Sequence, residues 1–468
     1  MNTLQKIFSV TNTPNKKYKV ISCCGLTIKI NKKKLPRSNK KMRQEIDRLQ
    51  AQVKELQVFK QEQIIRRNYS KVLRKLRCEC NDRKINIVFL STSNSKFSYS
   101  SLYKEFEKNP KFNVKVLVSC IDEFKFREYQ QKTHINLMKE DYEFYTSNGY
   151  NTEYAFDIEN DEFISLKEFN PDIIFYGEPW SIAKSQELNE TSKYALACFC
   201  CYGTTIHNGS YEYEKPFYRS LFKYFIDNYY AQELLIEHDV DSDSLPVFGS
   251  VKLDAYLLPV DESKVKWKSS GKKRVIYAPH HSFYEGSILG YGTFGRNYLF
   301  FLEYAKNHPD IEFILKPHPC LKKEIVHNKF MTEEEMDNYF AQWESLDNVQ
   351  ICEQGDYFDM FRTSDLMITD SNSFLSEYLP TEKPLIHLIS EDSVGHNEYG
   401  QKIIQGYYPA RTNEETEQLL DEILYKNNDP LKDKRKEIIE NDLVWERDGA
   451  AKGIVKYLEE VIFEGRDY

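Results

Sequence analysis

Three short polar segments in the second half of the chain carry side chains suited to binding phosphate. They are Pro279-His280-His281-Ser282, Lys316-Pro317-His318-Pro319 and Asp370-Ser371-Asn372-Ser373. Lysine offers a point charge and imidazole a directional N–H donor, while proline fixes the backbone that aims them. One such segment alone is usually an ordinary loop. Three together predict a ligand site made of His280, His281, Lys316, His318, Asp370, Ser371, Asn372 and Ser373.

Each segment directly follows a short apolar run that is typical of a buried strand. The strands predicted there are Arg274–Pro279, Ile311–Lys316 and Leu366–Asp370, with helical spacing in Phe294–Lys306 and Glu333–Trp343 between them. Such alternation predicts a parallel sheet, whose strands present their carboxyl ends at the edge where ligands bind. Serine and asparagine also favour helix N-caps, so the third segment is expected to open a helix with free N–H groups. A carboxylate beside phosphate is repulsive, so we expect Asp370 to buttress this turn or His318.

An earlier series of strands predicts another domain of the same α/β class. Its members alternate with helical stretches and are Ile85–Leu90, Val114–Val118, Pro171–Tyr176, Cys198–Tyr202, Lys223–Tyr230 and a closing strand over Leu245–Asp254. The polar segment from Asp254 to Lys273 is predicted to be a linker. We therefore expect a leader over residues 1–80, an N-terminal domain over 81–258 and a C-terminal domain over 272–468.

The leader is strongly basic, whereas the rest of the chain is acidic. Residues 1–80 contain 21 Lys and Arg against 5 Asp and Glu, and the remainder contains 43 against 67. Charge alone admits nucleic acid or an anionic membrane as the partner. The alternating segments around Gly25 predict a small hairpin. A heptad seam over Met42–Leu56 is barely two heptads long, so the segment is either a helical spacer or a homodimer contact. A separate basic helix is expected over Arg66–Arg77.

Composition indicates a globular protein that acts inside the cell. The chain has 468 residues, 41% of them hydrophobic, without a run of 18 uncharged apolar residues or a signal-peptide core. We expect the ten cysteines to be free thiols and expect no metal site.

The same motifs resemble those of the CDP-glycerol glycerophosphotransferase family, the enzymes of teichoic acid and capsule polymer synthesis. The resemblance rests on Tyr277-Ala278-Pro279, Lys316-Pro317-His318-Pro319, Ile368–Ser373 and a Gly-x-x-Lys-x-Asp passage within Phe248–Asp254, and it covers residues 84–460. It implies a GT-B-like α/β fold: two Rossmann-like domains with parallel sheets facing a central cleft, here preceded by the basic leader and its short coiled-coil segment. The C-terminal domain would hold the donor through His318 and the turn Asp370–Ser373, with His280 lining the cleft, and the N-terminal domain would meet the acceptor.

One passage departs from the family pattern. Many members carry a Trp-His-Gly-Thr loop whose histidine is the proposed base, but this chain has Cys201-Tyr202-Gly203-Thr204. Tyrosine, with an ordinary pKa near ~10, is a poor base at neutral pH. Either the nearby His207 takes the role or the chain belongs to a divergent branch. The catalytic candidates are accordingly His207, His318 and Tyr202.

The resemblance implies transfer of glycerol phosphate or ribitol phosphate from a CDP-activated donor to a hydroxyl of a lipid-linked or glycan acceptor. It implies no tightly bound cofactor, and Mg²⁺ is compatible with it although no ligand set requires the ion. Because lipid-linked acceptors lie on the cytoplasmic leaflet, residues 1–80 are expected to bind an anionic membrane surface rather than nucleic acid. The protein would then be peripheral on the inner face of the cell membrane.

Two alternatives come from other functional classes. A GT-B fold also serves nucleotide-sugar glycosyltransferases and epimerases. These are expected to place a carboxylate after a glycine-rich loop, and Glu377 or Glu382 could serve, but no such loop precedes them. A non-enzymatic membrane assembly protein, acting through its leader and coiled coil, is the second alternative.

Overall fold

A computed structural model describes most of the chain. The described residues are 8–12, 18–23, 26–31, 40–122, 128–180, 182–208, 216–265, 267–268, 271–353, 357–444 and 448–466, with only the backbone for 8–12, 18–23, 26–31, 40–46, 128–133 and 262. They form two compact units, residues 1–64 and 65–468. In the described part of the chain, no helix is both long and apolar enough to cross a bilayer.

The first unit contains a three-stranded antiparallel sheet and the start of a long helix. The strands are β1 (Phe8–Asn12), β2 (Tyr18–Cys23) and β3 (Leu26–Asn31), in the order β1-β2-β3. The pairing of β2 with β3 confirms the predicted hairpin. Helix α1 runs unbroken over Lys40–Glu79, so the prediction of two separate helices was wrong. Lys60 and Gln63 interrupt the apolar seam but are good helix formers. Pairing of this seam into a coiled coil stays a prediction.

The second unit begins with a six-stranded sheet in the order β11-β10-β9-β4-β5-β6, all parallel. Its elements are β4 (Ile85–Ser91), α2 (Ser100–Lys108), β5 (Phe112–Val118), α3 (Glu128–Ser147), β6 (Thr152–Tyr154), the hairpin β7 (Phe156–Asp157) and β8 (Glu162–Phe163), β9 (Ile173–Tyr176), α4 (Leu188–Thr191), β10 (Leu196–Cys200), α5 (Pro216–Arg219), β11 (Lys223–Phe225) and α6 (Tyr229–Glu237). Residues after Ile64 of α1, among them Tyr69 and Leu73, pack in its core. The closing strand predicted over Leu245–Asp254 was wrong, because only Val247 pairs, through a single bridge to Ile226.

A second six-stranded parallel sheet follows in the order β14-β13-β12-β15-β16-β17. Its elements are β12 (Lys273–Ala278), α7 (Phe294–Asn307), β13 (Ile311–Leu315), α8 (Leu321–His327), α9 (Glu333–Glu344), β14 (Val349–Ile351), α10 (Phe358–Thr363), β15 (Leu366–Thr369), α11 (Asn372–Glu377), β16 (Leu385–Leu388), α12 (Glu398–Ile404), β17 (Tyr408–Ala410), α13 (Asn413–Leu420), a π-helical turn (Asp421–Tyr425), α14 (Lys432–Asn441) and α15 (Ala450–Phe463). Central strands β13 and β15 are buried along their whole length, as crossover helices on both faces require. The predicted pair of parallel-sheet domains is confirmed.

The Gly-x-x-Lys-x-Asp passage makes contacts with both parallel-sheet domains. Lys252 Nζ lies 2.8 Å from the Glu377 carboxylate of α11. Asp254 accepts hydrogen bonds from the first two N–H groups of α15, Ala450 at 2.8 Å and Ala451 at 2.9 Å. Gly249 has φ +86°, and a Cβ there would lie 2.4 Å from the carbonyl oxygen of Val444, so no other residue fits. These contacts explain the motif by packing.

Helix α15 returns to the first domain. Its residues Ile454, Leu458 and Val461 belong to the core around the first sheet. This helix lies within residues 272–468, which were predicted to form the C-terminal domain, but its apolar face packs against α2 of the other domain. The first domain therefore uses residues from both ends of the second unit.

Replacing Asp254 with alanine should destabilise the protein, because two buried N–H groups of α15 lose their acceptor. We expect Asp254→Ala to lower the free energy of unfolding by about 2 kcal/mol, measured by urea titration. Asp448→Ala is the matched control, since that carboxylate precedes the same helix but is 78% exposed. An equal loss in both variants would contradict the capping role.

Candidate active site

Three histidines from two neighbouring strand ends form a compact cluster. His280 and His281 follow β12, and His318 follows β13, its hydrogen-bonded neighbour. The ring centroids are 4.3 Å apart for His280 and His281, 4.1 Å for His281 and His318, and 5.0 Å for His280 and His318. The structure thus brings together the histidines that the sequence assigned to two separate segments.

Hydrogen bonds fix which nitrogen of two of these rings carries the proton. The backbone N–H of Ser282 donates to His280 Nδ1 at 3.3 Å, and the N–H of Cys320 donates to His318 Nδ1 at 3.1 Å. Ser282 Oγ accepts from the N–H groups of Tyr291 and Gly292, so its own proton is free to point at His280 Nδ1, 2.7 Å away. In the neutral state both rings therefore present an N–H donor at Nε2.

Burial keeps the cluster neutral. It lowers the pKa of His318 to about 3, with the charges of His281 and Lys316 acting in the same direction. Burial also lowers the pKa of His280 well below its ordinary value, and that of His281 to a smaller extent. At neutral pH the cluster offers directional N–H donors without positive charge.

These rings suit an anion better than a metal ion. One nitrogen from each histidine lies within 4.8 Å of the others, which is close enough to consider a shared ion. A metal bound at Nε2 would push the proton onto Nδ1. In His280 and His318 the Nδ1 atom already accepts from a backbone N–H, so a proton on Nδ1 would point at another hydrogen-bond donor. An oxygen of a phosphate, which accepts hydrogen bonds, matches the donors that these two rings present.

Asp370 holds the histidine loop in place. Its Oδ1 accepts from the N–H of His280 at 2.6 Å, and its Oδ2 accepts from the hydroxyl of Thr293 at 2.7 Å and from the N–H of Thr293. The carboxylate is 1% exposed, and burial raises its pKa to about 6 despite these bonds. The expected buttressing role is present, but its partners are the His280 backbone and the start of α7 rather than the His318 ring.

The turn after β15 lies beside this cluster. Ser371 occupies the N-cap of α11, although its hydroxyl makes no capping bond. Its N–H donates to Thr369 Oγ1, which in turn donates to the carbonyl of Ala278 at the end of β12. Asn372 Oδ1 is buried and has no hydrogen-bond partner among the described residues. A buried acceptor of this kind suits a hydrogen bond from an N–H or O–H group of a ligand.

Lys316 places a cation at this edge. The residue is 6% exposed, and its Nζ lies 5.1 Å from the centroid of the Tyr357 ring. Tyr357 donates its hydroxyl to Glu377, the partner of Lys252. Glu377 is 2% exposed, so the carboxylate considered for sugar binding is held within the contact between domains.

The N-terminal domain presents the loop after β10 to the same region. A Cβ on Gly203 would lie 3.8 Å from the Cβ of Ser373, so the loop approaches the turn closely. Tyr202 packs edge-on against Trp180, with ring centroids 6.3 Å apart. His207 is 8% exposed and forms an isolated antiparallel bridge with His396. The structure therefore places Tyr202 and His207 at different ends of one loop, each packed on its own neighbours.

Sequence reasoning missed Asn397, which docks this loop on the second domain. Its N–H donates to the carbonyl of Ile206 at 3.0 Å, its side-chain amide donates to Thr205 at 2.8 Å, and its Oδ1 caps α12. Thr293 was also missed, because its contact with Asp370 spans 77 residues of the chain and nothing in the local sequence signals it. Ser282 was named in the first segment, but its contact with His280 Nδ1 was not predicted.

Comparisons with solved structures show the fold. Residues along 88% of this chain align with 98% of the wall teichoic acid polymerase TagF, at a TM-score of 0.55 and 12% identity. For the UDP-GlcNAc 2-epimerase of Neisseria meningitidis bound to UDP-GlcNAc the shares are 81% and 100%, with a TM-score of 0.51 and 15% identity. For S. aureus MnaA with UDP, 81% of this chain aligns with 96% of the other chain, at a TM-score of 0.52 and 14% identity. The chain accordingly has the GT-B-like architecture that the sequence predicted.

The sequence comparisons bear on the second domain. Among curated proteins none matches the chain. Residues 267–460 match the family model described as CDP-Glycerol:Poly(glycerophosphate) glycerophosphotransferase. This range contains β12 to β17 and every residue of the histidine cluster and the Ser371 turn. The resemblance inferred from the motifs is confirmed there: residues 267–460 form a glycerophosphotransferase-family domain, and the chain is a transferase of the glycerophosphotransferase type.

Proposed function

We propose that the protein transfers glycerol phosphate or ribitol phosphate from a CDP-activated donor to a hydroxyl of a lipid-linked or glycan acceptor, in the synthesis of a teichoic acid-like or capsular polymer. The observation that carries this proposal is the pair of neutral rings with fixed Nε2–H donors beside Lys316. Such donors bind phosphate oxygens at the carboxyl edge of a parallel sheet.

In the proposed complex, the donor's diphosphate lies across the ends of β12, β13 and β15. His280 and His318 donate to its oxygens, and Lys316 contributes charge. Asn372 Oδ1, buried and without a partner among the described residues, accepts a hydrogen bond from a hydroxyl group of the CDP-alcohol. Asp370 stays behind the His280 backbone, where its charge does not face the phosphate. Fixed N–H donors of this kind stabilise the charge that develops during phosphoryl transfer.

The reaction is a displacement at phosphorus. The acceptor oxygen forms a bond to the β-phosphorus, the bond from that phosphorus to the bridging oxygen breaks, and CMP leaves with the electron pair. The acceptor proton passes to a base. His318 does not suit that role, because its Nδ1 accepts from Cys320 and its Nε2 already carries a proton. His207, on the loop that approaches Ser373, stays the candidate base. A loose transition state asks mainly for positioning, so a weak base suffices.

The epimerase structures keep a nucleotide-sugar enzyme as the second candidate function, through the shared fold alone. That candidate needs a free carboxylate for the sugar. Glu377 is instead bound by Lys252 and Tyr357, and Glu382, the other carboxylate considered, lies 4.0 Å from Lys436 Nζ. This observation favours the CDP-alcohol as the donor.

Incubating the protein with CDP-glycerol, CDP-ribitol, UDP-sugars or CMP-sugars and a lipid-linked glycan acceptor tests the proposal. We expect CMP to appear with a CDP-alcohol, by chromatography of the reaction products. His318→Ala should slow this release by about a hundredfold, because a fixed hydrogen-bond donor to the phosphate oxygens is lost. His318→Gln, which keeps an N–H near the position of Nε2, should retain an intermediate rate.

His327→Ala is the matched control, since this exposed histidine ends α8 just beyond the same loop. Release of UDP alone by the native protein would overturn the glycerophosphate proposal. Equal rates for His318→Ala and His327→Ala would remove His318 from the donor site.

We further propose that the basic leader binds the anionic surface of the cytoplasmic leaflet. Each lysine or arginine near such a surface contributes roughly 1 kcal/mol. Exposed apolar side chains of α1, Leu56 and Phe59, lie in the same stretch as its basic residues. The charge of the leader then places the transferase beside a lipid-linked acceptor.

Deleting residues 1–64 should release the protein from vesicles of phosphatidylglycerol and phosphatidylcholine, measured by flotation. The cut ends there because Ile65 belongs to the core of the second unit and Arg66 pairs with Asp241. Activity on a soluble acceptor analogue should persist. Unchanged flotation of the shortened protein would rule the leader out as the membrane contact.

A further inference from the structure

A lysine of the first domain lies at the edge of the cleft. Lys96 ends the 3-10 turn Asn94–Lys96 that follows β4. Its Nζ is 2.6 Å from Glu178 Oε1 and 5.4 Å from the centroid of the Trp180 ring. Glu178 and Trp180 follow β9, the hydrogen-bonded neighbour of β4. All three side chains therefore belong to the carboxyl edge of the first sheet.

The ion pair is asymmetric in its exposure. The side chain of Glu178 is 2% exposed, whereas that of Lys96 is 34% exposed. A buried carboxylate needs its cation, so Glu178 holds the ammonium in position. The negative face of the Trp180 ring attracts the Lys96 ammonium to the same position. An ammonium has three N–H donors, and the exposed side of Lys96 leaves donors for a ligand.

The loop after β10 links this cluster to the second domain. Trp180 packs edge-on against Tyr202, with ring centroids 6.3 Å apart. A Cβ on the next residue, Gly203, would lie 3.8 Å from the Cβ of Ser373 in the turn after β15. Two successive contacts thus connect the surroundings of Lys96 to the candidate donor site.

The proposed donor site needs a second cation. A CDP-alcohol carries two negative charges on its diphosphate. Of the donor-site candidates in the second domain, Lys316 is the cation, the histidines are neutral because their pKa values are lowered, and Asp370 is acidic. One ammonium leaves the diphosphate incompletely compensated, and unpaired charge is costly where it is partly removed from water.

We propose that Lys96 is the second cation of the donor site and binds the diphosphate from the N-terminal domain, while Glu178 and Trp180 position it. This inference rests on the proposed function. Lys96 forms no covalent bond in the reaction; its charge offsets the negative charge of the diphosphate and of the departing CMP. Donor affinity then depends on both domains.

The test compares donor binding by two variants of the full chain. Lys96→Gln alone would leave Glu178 buried without a cation, so the informative pair is Glu178→Gln, which keeps the ammonium, and the double variant Lys96→Gln/Glu178→Gln. We expect the double variant to bind CDP-glycerol and CDP-ribitol about tenfold more weakly than Glu178→Gln, by calorimetry, since a hydrogen bond to a charged group is lost. Affinity for uncharged cytidine should be equal in both.

Lys193→Met is the control, because this exposed lysine belongs to the same domain and pairs with Glu190 on its surface. Equal CDP-alcohol affinity in Glu178→Gln and the double variant would overturn the inference. Lys96→Arg, which keeps the charge, should stay within about threefold of the native protein, and a loss equal to that of the double variant would also overturn it. Failure of the native protein to bind either CDP-alcohol would instead overturn the proposed function.

Discussion

The geometry of the candidate site depends on one buried carboxylate. Asp370 ends β15, yet it accepts hydrogen bonds from the backbone of His280 after β12 and from Thr293 at the start of α7. It thereby sets the backbone from which the His280 ring projects. A charge held away from water is costly unless each oxygen is satisfied, and here both oxygens have donors. The carboxylate therefore holds the His280 backbone in place, and with it the ring that donates from Nε2.

The two domains share the site through several kinds of contact. Lys252 and Glu377 form an ion pair, and Asn397 binds the loop after β10 through its backbone and side chain. Gly203 then comes close to Ser373. A buried ion pair contributes little net stability, but it disfavours arrangements in which either partner is left alone. The contacts thus favour one relative placement of the two cleft edges.

The sequence was sufficient to predict two parallel sheets and the ends of β12, β13 and β15, because short apolar runs followed by polar turns mark them directly. It also identified His280, His281 and His318 as one group. The tautomers of His280 and His318 could not be predicted, since the N–H groups of Ser282 and Cys320 that fix them are oriented only in the folded loops. The partner of Asp370 was missed for the same reason. An apolar helical pattern also does not say which of two sheets it covers, so the sequence misassigned α15.

The return of α15 to the first sheet has a consequence for synthesis of the chain. Ala450, Ile454 and Leu458 fill the core that also contains Ile65 and Tyr69 of α1, so this core is incomplete until α15 has left the ribosome. The first domain must wait with apolar surface uncovered while the second is translated, and such surface is a target for chaperones. Premature termination before or within α15 would then damage the domain made first.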